Sequence, residues 1–543
     1  MAEQLKREVR EKAHRRLGKR AVLGSRERIS DPEITTSQSL GLPQESRRDQ
    51  VLPVHDHRSA IPDAHNHRIE LSSDASTIRP RRGTDCTLAS EDARGSIGFG
   101  RSDTVLLMFY LEHLLPFLFP FYNPSPLQGG RAWILEMMIS SPVVRHATLC
   151  QSSYFFSLAQ GISSHDASWE TVLAQTRNAF ETLKQSLEVI SGSSISEHVH
   201  GAARILASII QVQRFEISVL SFNNCQAHLN AALALFEKLL ESCDAVEQTG
   251  PLCRFNNITT RLGPSSWILP AQRVQVSSAE QAAFRFSSTL LILDDIVASI
   301  VLQEQPRLYE YHYSLLGNID GSEASINLEA VVGCQNWVIL QVGEIAALDA
   351  WKQQCKRAGN LDMVELVNRA TAIKSSLEVQ LTLLESDPII LPKAGDSLFD
   401  ILTADHWRRS NTLADQTSIV TRTWGYAALI YLAVIISGWQ PASVDVRHNV
   451  AQILDLLTNQ TSPPSLLRTV VWPFCVAGCL AEPAQESHFR GLAQTLQPPS
   501  VFGTVGKALE IMQNVWQNRC TGDAASRDIA TFFRSQGDLV LLV

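Results

Sequence analysis

The sequence predicts an all-α protein: a body of about a dozen packed helices over residues 103–543, preceded by a disordered basic and polar segment over residues 1–100. Three observations predict it. From about residue 103 onward apolar residues recur at i, i+3, i+4 and i+7 with little alternation of period two, the signature of helices with one buried face. Breaks rich in Pro, Gly, Ser and Asn interrupt that pattern at 191–194, 243–277, 385–397, 438–442 and 461–464. Residues 1–100, by contrast, are rich in Arg, Ser, Asp and Pro, poor in aromatics and without a sustained apolar period, so they bury too little to offset the entropy of ordering.

Taken in order, the elements begin with "TVLLMFYLEHLLPFLFPFY" (104–122). Glu112, His113, Pro116 and Pro120 make this a costly and broken membrane span, so it reads as a buried helix. Helices follow near 131–140, 143–160, 167–190 and 197–219. The stretch 228–242 is the clearest case: Leu229, Ala232, Leu233, Phe236, Leu239 and Leu240 share a face while Glu237, Lys238 and Glu241 turn outward. Further helices are expected near 279–303, 329–358, 361–384, 412–437, 444–458, 465–481 and 503–517. The apolar run "YAALIYLAVIIS" (426–437) falls short of the roughly 20 residues that cross a bilayer and reads as a core helix. No fixed repeat period appears, which excludes a regular solenoid.

Composition bounds the function. At 543 residues with 45% hydrophobic and 19% charged content, the chain can bury an extensive core. A net charge of −8 excludes a global basic footprint for nucleic acid. Residues 1–100 carry 18 Lys+Arg against 15 Asp+Glu, leaving 29 against 40 for the rest, so a faintly basic tail precedes an acidic body. The basic excess lies in residues 1–28, at Lys6, Arg7, Arg10, Lys12, Arg15, Arg16, Lys19 and Arg20, a candidate patch for nuclear import or phosphate contact. No apolar stretch opens the chain as a signal peptide would, and Glu3, Glu8 and Glu11 argue against a mitochondrial presequence. Ten scattered cysteines read as free thiols of a reducing compartment.

Several local patterns resemble sites and are weighed against plainer readings. Cys475 and Cys479 in "WPFCVAGCLA" are four apart on a helical pattern, so two thiolates could reach one metal. Their neighbours Phe474, Val476, Ala477 and Leu480 are apolar, and Glu482 and His488 lie at or beyond the helix end, so core packing is the expectation. The pairs His55/His57 and His65/His67 lack a scaffold to fix metal geometry. "LLILDDIVASIV" (290–301) resembles the aspartate-rich segment with which terpene cyclases hold magnesium and a diphosphate. Ala298 stands where a further acid is wanted, and Asp294/Asp295 are expected to be a surface pair on an amphipathic helix. No nucleophile elbow or phosphate-binding loop occurs, and the glycines of "LQGGRAW" (127–133) serve equally as a helix break.

Read in order, five blocks resemble the helical regulatory body of the fungal-specific transcription factors: 109–159, 291–312, 333–352, 424–438 and 470–492, the last containing "VVWPFCVAGCLAEPAQESHFRGL". The resemblance covers roughly 103–520 and implies a nuclear regulator, often of a metabolic or secondary-metabolite pathway. Such regulators usually carry a six-cysteine binuclear zinc cluster at the N-terminus. Here Cys86 is the only cysteine before residue 100, so no zinc ligand or DNA-contacting residue carries over, and the cluster is missing from this chain.

The expectation is therefore a transcription regulator in the nucleus, acting through protein contacts with other regulators or the transcription machinery. It would touch DNA only weakly or through a partner, engage no membrane, and need no cofactor, metal or catalytic residue; a homodimer is compatible with it. The alternatives are an all-α enzyme of terpene-cyclase type and a helical ligand-binding sensor with a pocket between helices.

Overall fold

Helical periodicity is realised as helices through the whole body, in a computed structural model that describes residues 100–125, 129–161, 167–191, 198–242, 250–263, 267–269, 274–317, 324–386, 404–461, 464–519, 527–534 and 539–543. These residues all fall in one compact unit. The basic patch Lys6, Arg7, Arg10, Lys12, Arg15, Arg16, Lys19 and Arg20, the two histidine pairs and the expected disordered segment lie outside the described residues.

The first helix, α1, runs Arg101–Phe109, widens into a π-turn at Tyr110–Leu114 and closes with Leu115–Leu118. The widening sits just ahead of Pro116, whose ring would otherwise meet the carbonyl four residues earlier. Leu106, Leu107, Tyr110, Leu114 and Leu115 are buried while Glu112 and His113 face water, so the expected buried helix has one wet side. Then come α2 (Ala132–Ser140), α3 (Pro142–Ala159), α4 (Ala167–Ser191), α5 (Val199–Ser218) and α6 (Cys225–Glu241). All six apolar residues expected to face inward on α6 do so, and Lys238 and Glu241 are exposed.

The break expected over 243–277 holds more than a loop: α7 (Pro251–Arg261) and a two-stranded antiparallel hairpin, β1 (Trp267–Leu269) with β2 (Val274–Val276), Ile268 opposite Gln275. With three residues a strand, the hairpin leaves the fold all-α in class.

The helix α8 (Ala279–Leu302) is the axis of the body, packing against α2, α5, α6, α7 and two later elements. A complete capping box starts it: Ser278 Oγ accepts from the Gln281 amide at 3.1 Å and Gln281 Oε1 accepts from the Ser278 amide at 2.9 Å. After it come α9 (Tyr309–Leu316), the single turn Glu329–Val332, α10 (Asn336–Ala358), α11 (Met363–Ser386) and α12 (Ala404–Ser437). The single helix expected over 329–358 is broken at Gly333, which adopts φ 76°; a Cβ there would lie 2.4 Å from the Phe121 ring. The chain ends with α13 (Val444–Asp455), a 3₁₀ segment Pro464–Val470 leading into α14 (Val471–Cys479), α15 (Glu486–Gln494), α16 (Gly503–Gln517) and α17 (Ile529–Phe533).

The run 426–437 belongs to a longer apolar stretch than the sequence suggests: Asp415–Ser437 is long and apolar enough to cross a membrane by length and composition. Of its most apolar window 78% is buried inside the protein, with α10, α11, α13 and α14 packed around it, so it is a core helix.

Candidate functional site

Two helices that the sequence marks only as apolar carry a polar seam through the core. On α5, Gln211, Gln213, Arg214 and Glu216 interrupt an otherwise apolar run, and Gln213 and Glu216 are buried. Facing them, α8 is buried on nearly every side, Asp294 and Asp295 included. The expectation of a surface acidic pair is thus wrong, for a reason visible in hindsight: 290–301 has no polar face for solvent, and a helix apolar all round is a buried helix.

Each aspartate is held by protein donors. Arg214 Nη2 approaches Asp294 Oδ1 at 2.5 Å, and Gln213 Nε2 donates to Oδ2 at 3.3 Å. Burial pushes the Asp294 carboxyl up to about 6, against the opposing pull of the Arg214 charge and hydrogen bond. Asp295 accepts from the backbone amides of Arg307, at 3.2 Å, and Leu308, at 2.8 Å, and so fixes the turn between α8 and α9. Burial pushes this carboxyl up to about 6 as well, against those two hydrogen bonds. Neighbours in sequence, the two point to different partners and share no common ligand position. Among the described residues no group of three or more His, Cys, Asp and Glu is placed to hold a metal ion.

Arg214 lies where two cavities meet; Phe119, Arg214 and Leu290 line both. The first, about 850 Å³ of atom-free space counting the part open to solvent, has Leu293, Phe155 and Trp424 among its apolar walls. Its polar side is Arg214, Arg468, Ser218, Thr469 and Thr504. Arg468 donates to the Phe117 carbonyl at 2.5 Å and stacks its guanidinium 4.2 Å from that ring's centroid, and among the described residues it makes no ion pair. Burial, and then the like charge of Arg214, push its pKa down to about 10, so it stays charged at neutral pH.

The second cavity, about 570 Å³ on the same measure, lies between α2, α3, α5 and α8. Phe119, Trp133 and Phe286 give it aromatic walls. Gln151, Gln211 and Arg214 also line it, with Gln151 Nε2 and Arg214 Nε buried within the wall and without a hydrogen-bond acceptor among the described residues. Gln151 is only 1% exposed. Thr148 Oγ1 donates its one proton to the Val144 carbonyl at 2.9 Å, and the Gln211 side-chain amide lies 3.2 Å from the same hydroxyl, which can accept from its NH2.

The cysteine pair takes the opposite form. Cys475 and Cys479 are buried on α14 against α16, with Cys475 Sγ 3.8 Å from the Ala508 carbonyl. Burial holds the Cys475 thiol well above its ordinary range, which keeps it protonated and a poor metal ligand. A Cβ at Gly478 would lie 1.8 Å from Met512 Sδ, a measure of how closely the two helices approach. Beside them Trp472 stacks on Trp424 at 5.1 Å. Gly129 and Gly130 take φ of 94° and 54° immediately before α2, which is the helix break.

Sequence reasoning missed Arg214, Arg468, Gln151 and Gln211. The available signal was polar residues inside apolar helices, "QSS" after Cys150 and "QVQR" in α5, flanked on both sides by core residues.

Comparison with known proteins follows the fold. The sequence profile of the fungal-specific transcription factor domain matches residues 105–537, most of the described body. The transcription factor dibT of Pestalotiopsis microspora is 36% identical over 446 residues, covering 80% of this chain and 70% of that protein. The pestheic acid cluster transcriptional regulator 3 of Pestalotiopsis fici is 26% identical over 433 residues, 77% of this chain and 71% of that protein. The trichothecene biosynthesis transcription regulator TRI10 of Trichoderma arundinaceum is 26% identical over 426 residues, 76% of this chain and 91% of that protein. No solved structure matches the chain.

Proposed function

The chain belongs to the fungal-specific transcription factor domain family, and from that premise we propose that it regulates transcription of a secondary-metabolite biosynthetic gene cluster from the nucleus, through protein contacts of its helical body. The observation that carries this reading is the extent of the match: the regulatory domain accounts for 105–537, and relatives named as cluster regulators align along it. One of them is covered over 91% of its length, so a regulator can consist of little beyond this body.

Electrostatics supports protein contacts over DNA reading. The 40 acidic against 29 basic residues of 101–543 repel phosphate, which leaves direct DNA contact to the basic positions between Lys6 and Arg20, by salt-sensitive attraction without base readout. The placement of both aspartates against protein donors supports a role without turnover, because neither carboxylate is offered to a metal or a substrate proton.

The test is deletion of the gene followed by transcript profiling: transcripts of one co-located set of biosynthetic genes fall together, while unchanged transcripts overturn the reading. An electrophoretic shift with the purified full chain checks the mechanism; tight, sequence-specific binding that survives salt would show that DNA reading resides here.

A further inference from the structure

The helix α11 has one buried face and one exposed face, and the exposed one is not built for water. Leu366, Ala370, Leu377 and Leu381 are buried, with α10 and α12 packed on that side. The opposite face carries Val364, Asn368, Thr371, Ala372, Ser375 and Val379, all exposed. A solvent-facing helix surface ordinarily carries the charges, yet this row has none. The charges of α11 lie on its flanks and are held within the chain: Arg369 meets Glu365 at 2.5 Å, Lys374 meets Asp445 at 2.8 Å and Glu378 at 3.8 Å, and Glu385 meets Arg422 at 3.0 Å. Among the described residues, five of the eleven large apolar side chains left exposed belong to this one helix, Val364 at 70% and Val379 at 57% among them.

The spacing of that row is symmetric. Counted from Val364, the intervals are four, three, one, three and four residues. On a helix they form two rows of i, i+4 neighbours, Val364–Asn368–Ala372 and Thr371–Ser375–Val379. A two-fold axis between Thr371 and Ala372 exchanges the two rows. Rows of this kind interdigitate when helices pack ridge into groove, and a two-fold contact sets a patch against its own copy. We infer that α11 is a homodimer surface, on which two copies of the chain pack antiparallel. Val364 then meets Val379 of the second copy, Asn368 meets Ser375, and Thr371 meets Ala372. Identical side chains approach each other at such an axis, so a charge there would repel itself; the residues beside this axis are uncharged. A single helix pair falls short of the roughly 1,200 Å² that stable interfaces bury, so the dimer is weak and concentration-dependent, with a Kd of about 10 µM. The self-association goes beyond the regulator reading and does not rest on it.

The test is sedimentation velocity of the purified full chain from about 1 to about 100 µM, a range that brackets the expected Kd. The unsubstituted chain passes from monomer to dimer across it. Ala372→Arg sets like charges against each other at the axis and weakens the dimer by more than about tenfold. Ala372→Glu does the same, and an equimolar mixture of the two variants dimerises again, because opposite charges then meet. Gln380→Arg, exposed on the same helix but away from the symmetric row, dimerises like the unsubstituted chain. Circular dichroism reports that each variant is folded, as expected for good helix formers at exposed helix positions. A chain that stays monomeric at about 100 µM overturns the proposal. So does Ala372→Arg dimerising unchanged, which would move the contact to another face, a mixture that stays monomeric, or Gln380→Arg dissociating as Ala372→Arg does. Sedimentation requires no transcription readout: a failure to dimerise leaves the regulator reading standing, and unchanged transcripts in the deletion strain leave the dimer standing.

Discussion

The aspartate pair of α8 and the cysteine pair of α14 began alike, as adjacent chemistry-bearing residues in apolar runs, and both end in the core, yet they are buried in different ways. Asp294 and Asp295 are surrounded by donors from α5 and from the turn after α8, beside two cavities and several donors left over. Cys475 and Cys479 sit in close packing between α14 and α16, where even a methyl group has no room at Gly478. The difference follows from solvation. A carboxylate brought out of water must find partners, so its burial recruits a polar network; a thiol is a small weakly polar group that packs as a hydrophobe and recruits nothing.

The sharpest way to break that contrast is to remove one member of the network. Asp294→Ala strands the Arg214 guanidinium in the core and is expected to cost about 3–5 kcal/mol in urea unfolding. Combining it with Arg214→Met is expected to cost less than Asp294→Ala alone, since both charges leave together. A loss under about 1 kcal/mol for Asp294→Ala would mean that water reaches the pair and that the seam is not dry. On the cysteine side, Gly478→Ala forces Met512 and Phe489 to shift and is expected to cost about 1–3 kcal/mol. A neutral result would show α14 and α16 to be loosely packed.

A third effect is a dependence on pH. Buried His312, with no partner on either ring nitrogen, is pushed by burial down to about 4. The unfolded chain then binds the extra proton, so the stability this histidine allows at neutral pH is lost as pH falls from about 6.5 to about 4. Asp294 and Asp295, raised to about 6, act with the opposite sign: they favour the folded state most below about 4, and that contribution is lost as pH rises through about 6. His312→Leu is accordingly expected to leave stability at pH 7 unchanged or higher, and to steepen the gain on acidification by about 1.4 kcal/mol per pH unit in that window. An unaltered pH profile by denaturant titration would show that His312 titrates normally.

Helix existence was legible in the sequence because the signal is local: a 3.6-residue apolar period needs no knowledge of what lies opposite. The α6 face and the seating of Cys475 and Cys479 in the core came directly from it. The breaks were less legible. Gly333 interrupts an apolar pattern because Phe121, more than 200 residues earlier, occupies the space of its missing side chain. The hairpin and α7 lay hidden in a stretch too short and mixed for either period to emerge.

The family resemblance was legible too, since it rests on the order of blocks along the chain, and the match over 105–537 bears it out. The candidate site was not. Gln151, Arg214 and Asp294 come from three helices, and each alone is an ordinary polar residue in an apolar run. The sequence by itself determined an acidic helical body with its apolar faces assigned; only the tertiary structure decided which buried polar residues found partners and which were left without one. The physical reason is that helical faces follow from neighbours four residues away, whereas the pairing of a buried charge depends on groups that the chain brings together across tens to hundreds of residues.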